Sequence, residues 1–244
     1  MTKMNEQDYL LKYKGFISKE DQEALKKGYP VQYLVGHVDF FNVSIAINQD
    51  VLIPRFETEF LVAKIIEYLK KNNLKNQKIL EIGTGSGCIA IALKKERPDL
   101  DIVATDISSK ALALAKINAE NNNVKVNFIL SDLFEVITEK FDIIVSNPPY
   151  LDKNEEIMAK VRNFEPHQAL FADDNGMALL KKIIKEVPKH INKNTLIALE
   201  IGEKQGKTLK EYAQKYFPDG EVLLKNDMQN KTRYIFIRNN CKKT

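Results

Sequence analysis

The chain has 244 residues, 44% hydrophobic and 29% charged, enough for one ordinary globular domain with a small appendage. No run of 18 or more apolar residues occurs, so no membrane span is expected, and the mixed, charged start MTKMNEQDYLLKYKG lacks the apolar block of a secretory signal. The net charge of +4 comes from scattered lysines without a dense basic tract, and Cys88, Cys241, His37, His167 and His190 match no metal or disulfide spacing. A reduced, cytoplasmic setting, a monomer and no structural metal are the expectation.

Residues 1 to about 30 read as helical, with Leu10, Leu11 and Phe16 as a small apolar face. HVDFFNVSIAINQDVLIPR (37–55) alternates apolar and polar residues, which predicts a β-hairpin, and ETEFLVAKIIEYLKKN (57–72) has the spacing of an amphipathic helix. From Lys78 the pattern becomes regular. KILEIG (78–83) is a buried strand ending in glycine, and GCIAIALKKER (87–97) a helix stopped by Pro98. DIVATD (101–106) is a strand, and Ser108 or Ser109 can cap the helix KALALAKINAENN. NFILSD (127–132) and FDIIVS (141–146) are strands, and NGMALLKKIIKEVPKHI (175–191) is a helix that Pro188 kinks or ends early. TLIALEIG (195–202), EVLLKND (221–227) and TRYIFIR (232–238) are strands, with a helix at 207–217 after the first of them.

Strands alternating with helices predict a parallel sheet covered on both faces. The last two strands are joined by only MQNK, too short for a helical crossover, so they should pair antiparallel. The expected fold is α/β and Rossmann-like, with a mostly parallel seven-stranded sheet and one antiparallel strand. Its divisions would be a helical segment at 1–35, a hairpin linker at 36–55 and the main domain at 56–244.

Three strand ends carry the chemistry. The first is Glu81-Ile82-Gly83-Thr84-Gly85-Ser86-Gly87, whose small residues allow a tight turn and close approach of a ligand. The second is Asp106, a carboxylate able to accept both hydroxyls of a ribose. Ligands of open α/β sheets lie at these ends. The G-x-G-x-G spacing differs from the dinucleotide fingerprint, and Glu81 would repel a pyrophosphate but favour the positive charge of S-adenosylmethionine. The third is Ser131-Asp132-Leu133-Phe134, where Asp132 can bond an adenine amino group and Leu133 or Phe134 can cover the ring.

A fourth strand ends in Asn147-Pro148-Pro149-Tyr150. Two prolines cannot continue a sheet, and they hold the chain rigid where it opens into a loop. The Asn147 side-chain oxygen and the Pro148 carbonyl can accept both N–H groups of a planar –NH2, with Tyr150 against its face. Such a clamp aims the nitrogen lone pair and favours the charge that develops on it. On these residues alone, a carboxamide and a nucleobase amine fit equally.

With these motifs the chain resembles the amino-methyltransferases bearing [Asn/Asp/Ser]-Pro-Pro-[aromatic]. Within them it is similar to the HemK family, the protein-(glutamine-N5) methyltransferases of peptide chain release factors. That narrower likeness rests on PVQYLVG (30–36), VLIPRFETE (51–59), NFEPHQAL (163–170), LEIG (199–202) and Lys225-Asn226-Asp227 before Arg233-Tyr234. Phe56 stands where the family signature has proline, and only about 30 residues precede PVQYLVG, where the family carries a longer helical domain. The resemblance implies a class I methyltransferase fold, S-adenosylmethionine as donor, and the glutamine of a Gly-Gly-Gln motif as acceptor. No direct nucleic-acid partner is expected, because the core uses nearly the whole chain and leaves little room for a target-recognition domain. Gly83, Thr84, Gly85, Ser86, Gly87, Asp106, Leu133 and Asn147 carry over as cofactor contacts, and Asn147, Pro148, Pro149 and Tyr150 as the catalytic and substrate clamp. Arg55 and Glu165 fall in family motifs beside the site as substrate-binding candidates, and Arg55 can equally be a structural ion-pair partner.

Overall fold

In the computed structural model, residues 5–239 are described, and Cys241 lies outside them. Three short helices come first: α1 (Glu6–Lys14), α2 (Lys19–Lys26) and α3 (Val31–Val35). Their ends are written locally. Asn5 accepts from the Asp8 N–H at the start of α1, and Ser18 and Asp21 form a reciprocal capping box on α2. The expected apolar face is smaller than its pattern: Leu10 is fully buried, whereas Leu11 and Phe16 are exposed.

The hairpin is shorter than the alternation suggested. β1 (His37–Phe40) and β2 (Val43–Ala46) pair antiparallel, with Phe40 opposite Val43. Beyond Ala46 the Ile47 N–H still donates to the Gly36 carbonyl, then the chain turns at Asn48 and buries Val51 and Ile53 with no strand beside them. Alternation reports which side chains face the core, not whether a neighbour completes the ladder. The amphipathic helix α4 (Phe56–Lys71) follows, its Leu61, Ile65 and Leu69 forming a buried stripe at four-residue spacing.

The seven remaining strands form one sheet: β3 (Lys78–Ile82), β4 (Asp101–Asp106), β5 (Asn127–Leu130), β6 (Phe141–Ser146), β7 (Ile191–Glu200), β8 (Glu221–Asn226) and β9 (Thr232–Asn239). Their order is β5-β4-β3-β6-β7-β9-β8, with β9 antiparallel to both neighbours and the other pairings parallel. This is the expected single antiparallel strand. β5 ends at Leu130, short of the predicted Asp132, and β7 begins at Ile191, earlier than predicted. Ser108 supplies the cap of α6 (Ser109–Asn121), which follows α5 (Cys88–Glu96).

Two further short helices, α7 (Ala159–Phe164) and α8 (His167–Leu170), sit in a stretch with no readable periodicity. Then α9 (Ala178–Glu186) gives way to a single 3-10 turn at Val187–Lys189, where Pro188 removes the next helical donor. The last helix is α10 (Gly206–Tyr216). One apolar cluster joins the sheet to the hairpin, α4 and α5, and a second joins its other side to α9 and α10. The strand order reverses on either side of β3, whose neighbours are β4 and β6, so the ligand crevice of an α/β sheet opens at the C-terminal end of β3.

Candidate active site

A cavity of about 330 Å³ occupies that crevice, within the range of small-molecule sites. Its wall includes Gly83, Thr84, Gly85 and Ser86 after β3, Asp106 after β4, Asp132 and Leu133 after β5, and Asn147, Pro148 and Pro149 after β6, with Arg55 and Thr58 from the start of α4. Residues far apart in sequence, which the motifs marked separately, thus share one cavity. Gly87, Tyr150 and Glu165 stand behind the wall and do not line it.

The glycine loop turns through positive φ at Gly83 (69°), Gly85 (53°) and Gly87 (84°), which excludes most side chains. Gly87 is also required by packing: a Cβ there would lie 2.9 Å from Ile91 and 3.1 Å from Ala115. Asp106 ties two strand ends together, Oδ2 accepting from the Gly85 N–H and Oδ1 from the Ser108 N–H, both at 2.8 Å. Burial pushes its carboxyl above the usual carboxylate range. Asn118 of α6 braces the loop, its Nδ2 donating to the carbonyls of Ser86 and Ala46, both at 2.9 Å.

Glu81 is almost fully buried beneath this loop. Its Oε2 accepts from the Thr84 hydroxyl (2.7 Å) and the Ala90 N–H (3.0 Å), while Oε1 has no hydrogen-bond partner. Burial pushes its pKa up to about 8. A buried acceptor without a donor, beside a ligand cavity, fits a ligand that brings a cation or an N–H. Asp132 is half-exposed, with Lys182 Nζ 3.6 Å away. Leu133 is held in the left-handed region (φ 51°), a strained backbone for a leucine.

The Asn-Pro-Pro-Tyr segment is anchored from behind. Asn147 Nδ2 donates to Thr58 Oγ1 (3.0 Å), whose hydroxyl donates to Glu200 Oε2 (2.8 Å). The Tyr150 hydroxyl donates to the other oxygen of Glu200 (3.2 Å). The Tyr150 ring is therefore anchored by its hydroxyl, beside rather than in the lining of the cavity. Gln205 Nε2 donates to the Tyr150 carbonyl (2.7 Å) and to the Asn175 carbonyl (3.0 Å). Gly176, at φ 78°, lets that carbonyl approach, since a Cβ there would stand 2.0 Å from the Tyr150 oxygen. Glu200 has no exposed surface, and burial, partly offset by Thr58, Tyr150 and Arg233, pushes its pKa up to about 7.

Arg55 and Glu165 form an ion pair at 2.6 Å, and Glu165 also accepts from the Ile53 N–H (3.1 Å). The pair fastens the chain before α4 to the segment after α7; Arg55 reaches the cavity and Glu165 does not. Thr58, Glu200, Gln205 and Gly176 were not singled out from the sequence as functional. Glu200 carried a usable signal, because it is an acid at the C-terminal end of a strand, as Asp106 is. Thr58 lies inside the VLIPRFETE stretch that carries the family likeness, but nothing local ties its hydroxyl to Asn147 or Glu200.

A doubly covered sheet with a glycine loop and strand-end acids around one cavity is the fold of a methyltransferase, and residues 58–196 match the family model "Methyltransferase small domain". A crystal structure of a methyltransferase from Pyrococcus furiosus shares the fold, with a TM-score of 0.62 and 19% identity over 92% of this chain and all of that one. The release factor glutamine methyltransferase of Streptococcus pneumoniae is 42% identical over 85% of this chain and 74% of its own length. That of Flavobacterium psychrophilum is 44% identical over 87% and 76%. The chain belongs to the release factor glutamine methyltransferase family.

Proposed function

We propose that this protein transfers a methyl group from S-adenosylmethionine to the side-chain amide nitrogen of the glutamine in the Gly-Gly-Gln motif of a peptide chain release factor. The observation that carries the reading is the Asn147 amide, tied by its nitrogen to Thr58 on the rim of the glycine-loop cavity. S-adenosylmethionine supplies an electrophilic methyl group on a sulfonium. The residues fit that donor: the unpartnered Glu81 oxygen suits its positive charge, and Asp106 retains accepting capacity for ribose hydroxyls.

A carboxamide nitrogen is a poor nucleophile because its lone pair is delocalised into the carbonyl. Asn147 Oδ1 and the Pro148 carbonyl accept its two N–H groups, which turns the lone pair toward the donor and stabilises the positive charge that grows on nitrogen. Pro148 and Pro149 keep both acceptors in place without reorganisation. After transfer the cationic amide loses its proton to water. The names of the relatives favour glutamine over a nucleobase as the acceptor. We take the enzyme to act as a monomer in the cytoplasm, with no direct contact to nucleic acid.

The test offers labelled S-adenosylmethionine with release factor, release factor carrying Ala for the acceptor glutamine, and nucleic acid in parallel. Label on the wild-type release factor alone is expected; label on nucleic acid alone would overturn the reading. In Asn147→Ala, kcat should fall by about 100-fold or more while cofactor affinity changes little. Equal losses in both would mean that Asn147 mainly holds the cofactor.

A further inference from the structure

We propose that Thr58 and Glu200 are positioning residues that fix the orientation of the Asn147 amide, so that its oxygen faces the acceptor nitrogen. The proposal rests on the reading that an –NH2 group is held against Asn147. An asparagine amide can sit in either of two orientations, and only one presents an acceptor to an incoming N–H. The prolines fix the backbone but leave this choice open.

The hydrogen-bond chain behind Asn147 decides it. Glu200, fully buried at the end of β7, can only accept when ionised. The Thr58 hydroxyl therefore donates to Glu200 Oε2 (2.8 Å), and the Tyr150 hydroxyl donates to Oε1 (3.2 Å). Thr58 has a single hydroxyl hydrogen, now committed. Toward Asn147 it can only accept, which draws Nδ2 to it (3.0 Å) and turns Oδ1 away. The direction set by one carboxylate is thus passed through a hydroxyl to the amide. A proton on Glu200 facing Thr58 reverses it: Thr58 then donates to Asn147 Oδ1, and the amide offers an –NH2 to an –NH2.

The charged and titratable groups that face Glu200 are Glu57 from α4, the buried thiol of Cys88 from α5, Tyr150 from the loop after β6, and Arg233 and Tyr234 from β9, with Asp227 paired to Arg233. Arg233 favours the ionised form and Glu57 opposes it. The thermodynamic pull toward protonation comes from burial, which brings the titration of Glu200 to about 7.

The decisive variants are Thr58→Val, which keeps the shape and removes the relay hydroxyl, and Thr58→Ser, which restores it. Wild-type turnover on release factor is measured first; its absence overturns the proposed function and leaves the relay to be assayed on whichever –NH2 acceptor is methylated. With turnover in hand, Thr58→Val should lower kcat by about 100-fold, with cofactor affinity by calorimetry within about twofold, because only aim is lost. Thr58→Ser should recover most of it. A Thr58→Val enzyme that keeps its kcat, or loses cofactor affinity in proportion, overturns the relay, as does a Thr58→Ser enzyme no better than Thr58→Val. For Glu200, the wild-type kcat should fall with acid below pH 7 along a one-proton limb, and Glu200→Gln should lack that limb. Persistence of the limb in the variant would overturn the role of Glu200.

Discussion

Glu81 offers a direct measurement of what a prepared ligand site costs the fold. The perturbation is Glu81→Gln, read by urea unfolding of wild type and variant without cofactor at pH 5, 7 and 9. In the folded chain the carboxyl is buried, one oxygen lacks a partner, and the pKa stands at about 8 against an ordinary 4.5. The sign follows from proton counting. Between those two values the native state keeps a proton that the unfolded state has lost, so stability falls as pH rises across the window and levels off above it. At about 1.36 kcal/mol per pH unit, the gap is worth at most about 5 kcal/mol. Asp106 and Glu200 are shifted the same way, but they are present in both proteins and largely cancel in the difference. Gln keeps an acceptor for Thr84 and Ala90 and carries no charge. The variant should match the wild type near pH 5 and exceed it by several kcal/mol at pH 9, while binding S-adenosylhomocysteine more weakly. A stability difference that does not grow with pH would refute the reasoning.

Gly176→Ala should disturb the site from behind: its Cβ meets the Tyr150 carbonyl at 2.0 Å and its φ of 78° is unfavourable for alanine. A loss of roughly 1–3 kcal/mol is expected, together with a fall in kcat, checked by thermal unfolding and the methyl-transfer assay. Arg55→Ala leaves Glu165 buried beside only the Ile53 N–H. Discounted for the partly exposed Arg55 side chain, the loss should be about 2 kcal/mol in urea unfolding, and Glu165→Gln should cost less than Arg55→Ala.

Most of the fold was legible because, α7 and α8 aside, the elements from Lys78 onward are short apolar runs or amphipathic stretches, many closed by Gly, Pro or a Ser cap. Elements stabilised mainly by contact with distant chain were not. Val51 and Ile53 alternate like a strand yet belong to none, because a turn at Asn48 separates them from the hairpin, and α7 and α8 carry no apolar period. Strand β5 stops before Asp132, which frees the residue to reach the cavity rim.

The sequence by itself marked the groups that come to line one cavity: a glycine loop, acids closing two strands, and a proline-stiffened amide. Each is local, set by the backbone freedom of glycine, the missing donor of proline and the period of the strand. The tertiary structure decided which way those groups face. The Asn147 amide takes its direction from Thr58, 89 residues earlier, and Thr58 takes its own from Glu200, 142 residues later. No periodicity encodes such a chain, because it depends on where a hydroxyl hydrogen goes once β6, β7 and α4 have converged. The same convergence fixes Tyr150, whose hydroxyl is held by the buried Glu200 and whose carbonyl is gripped by Gln205.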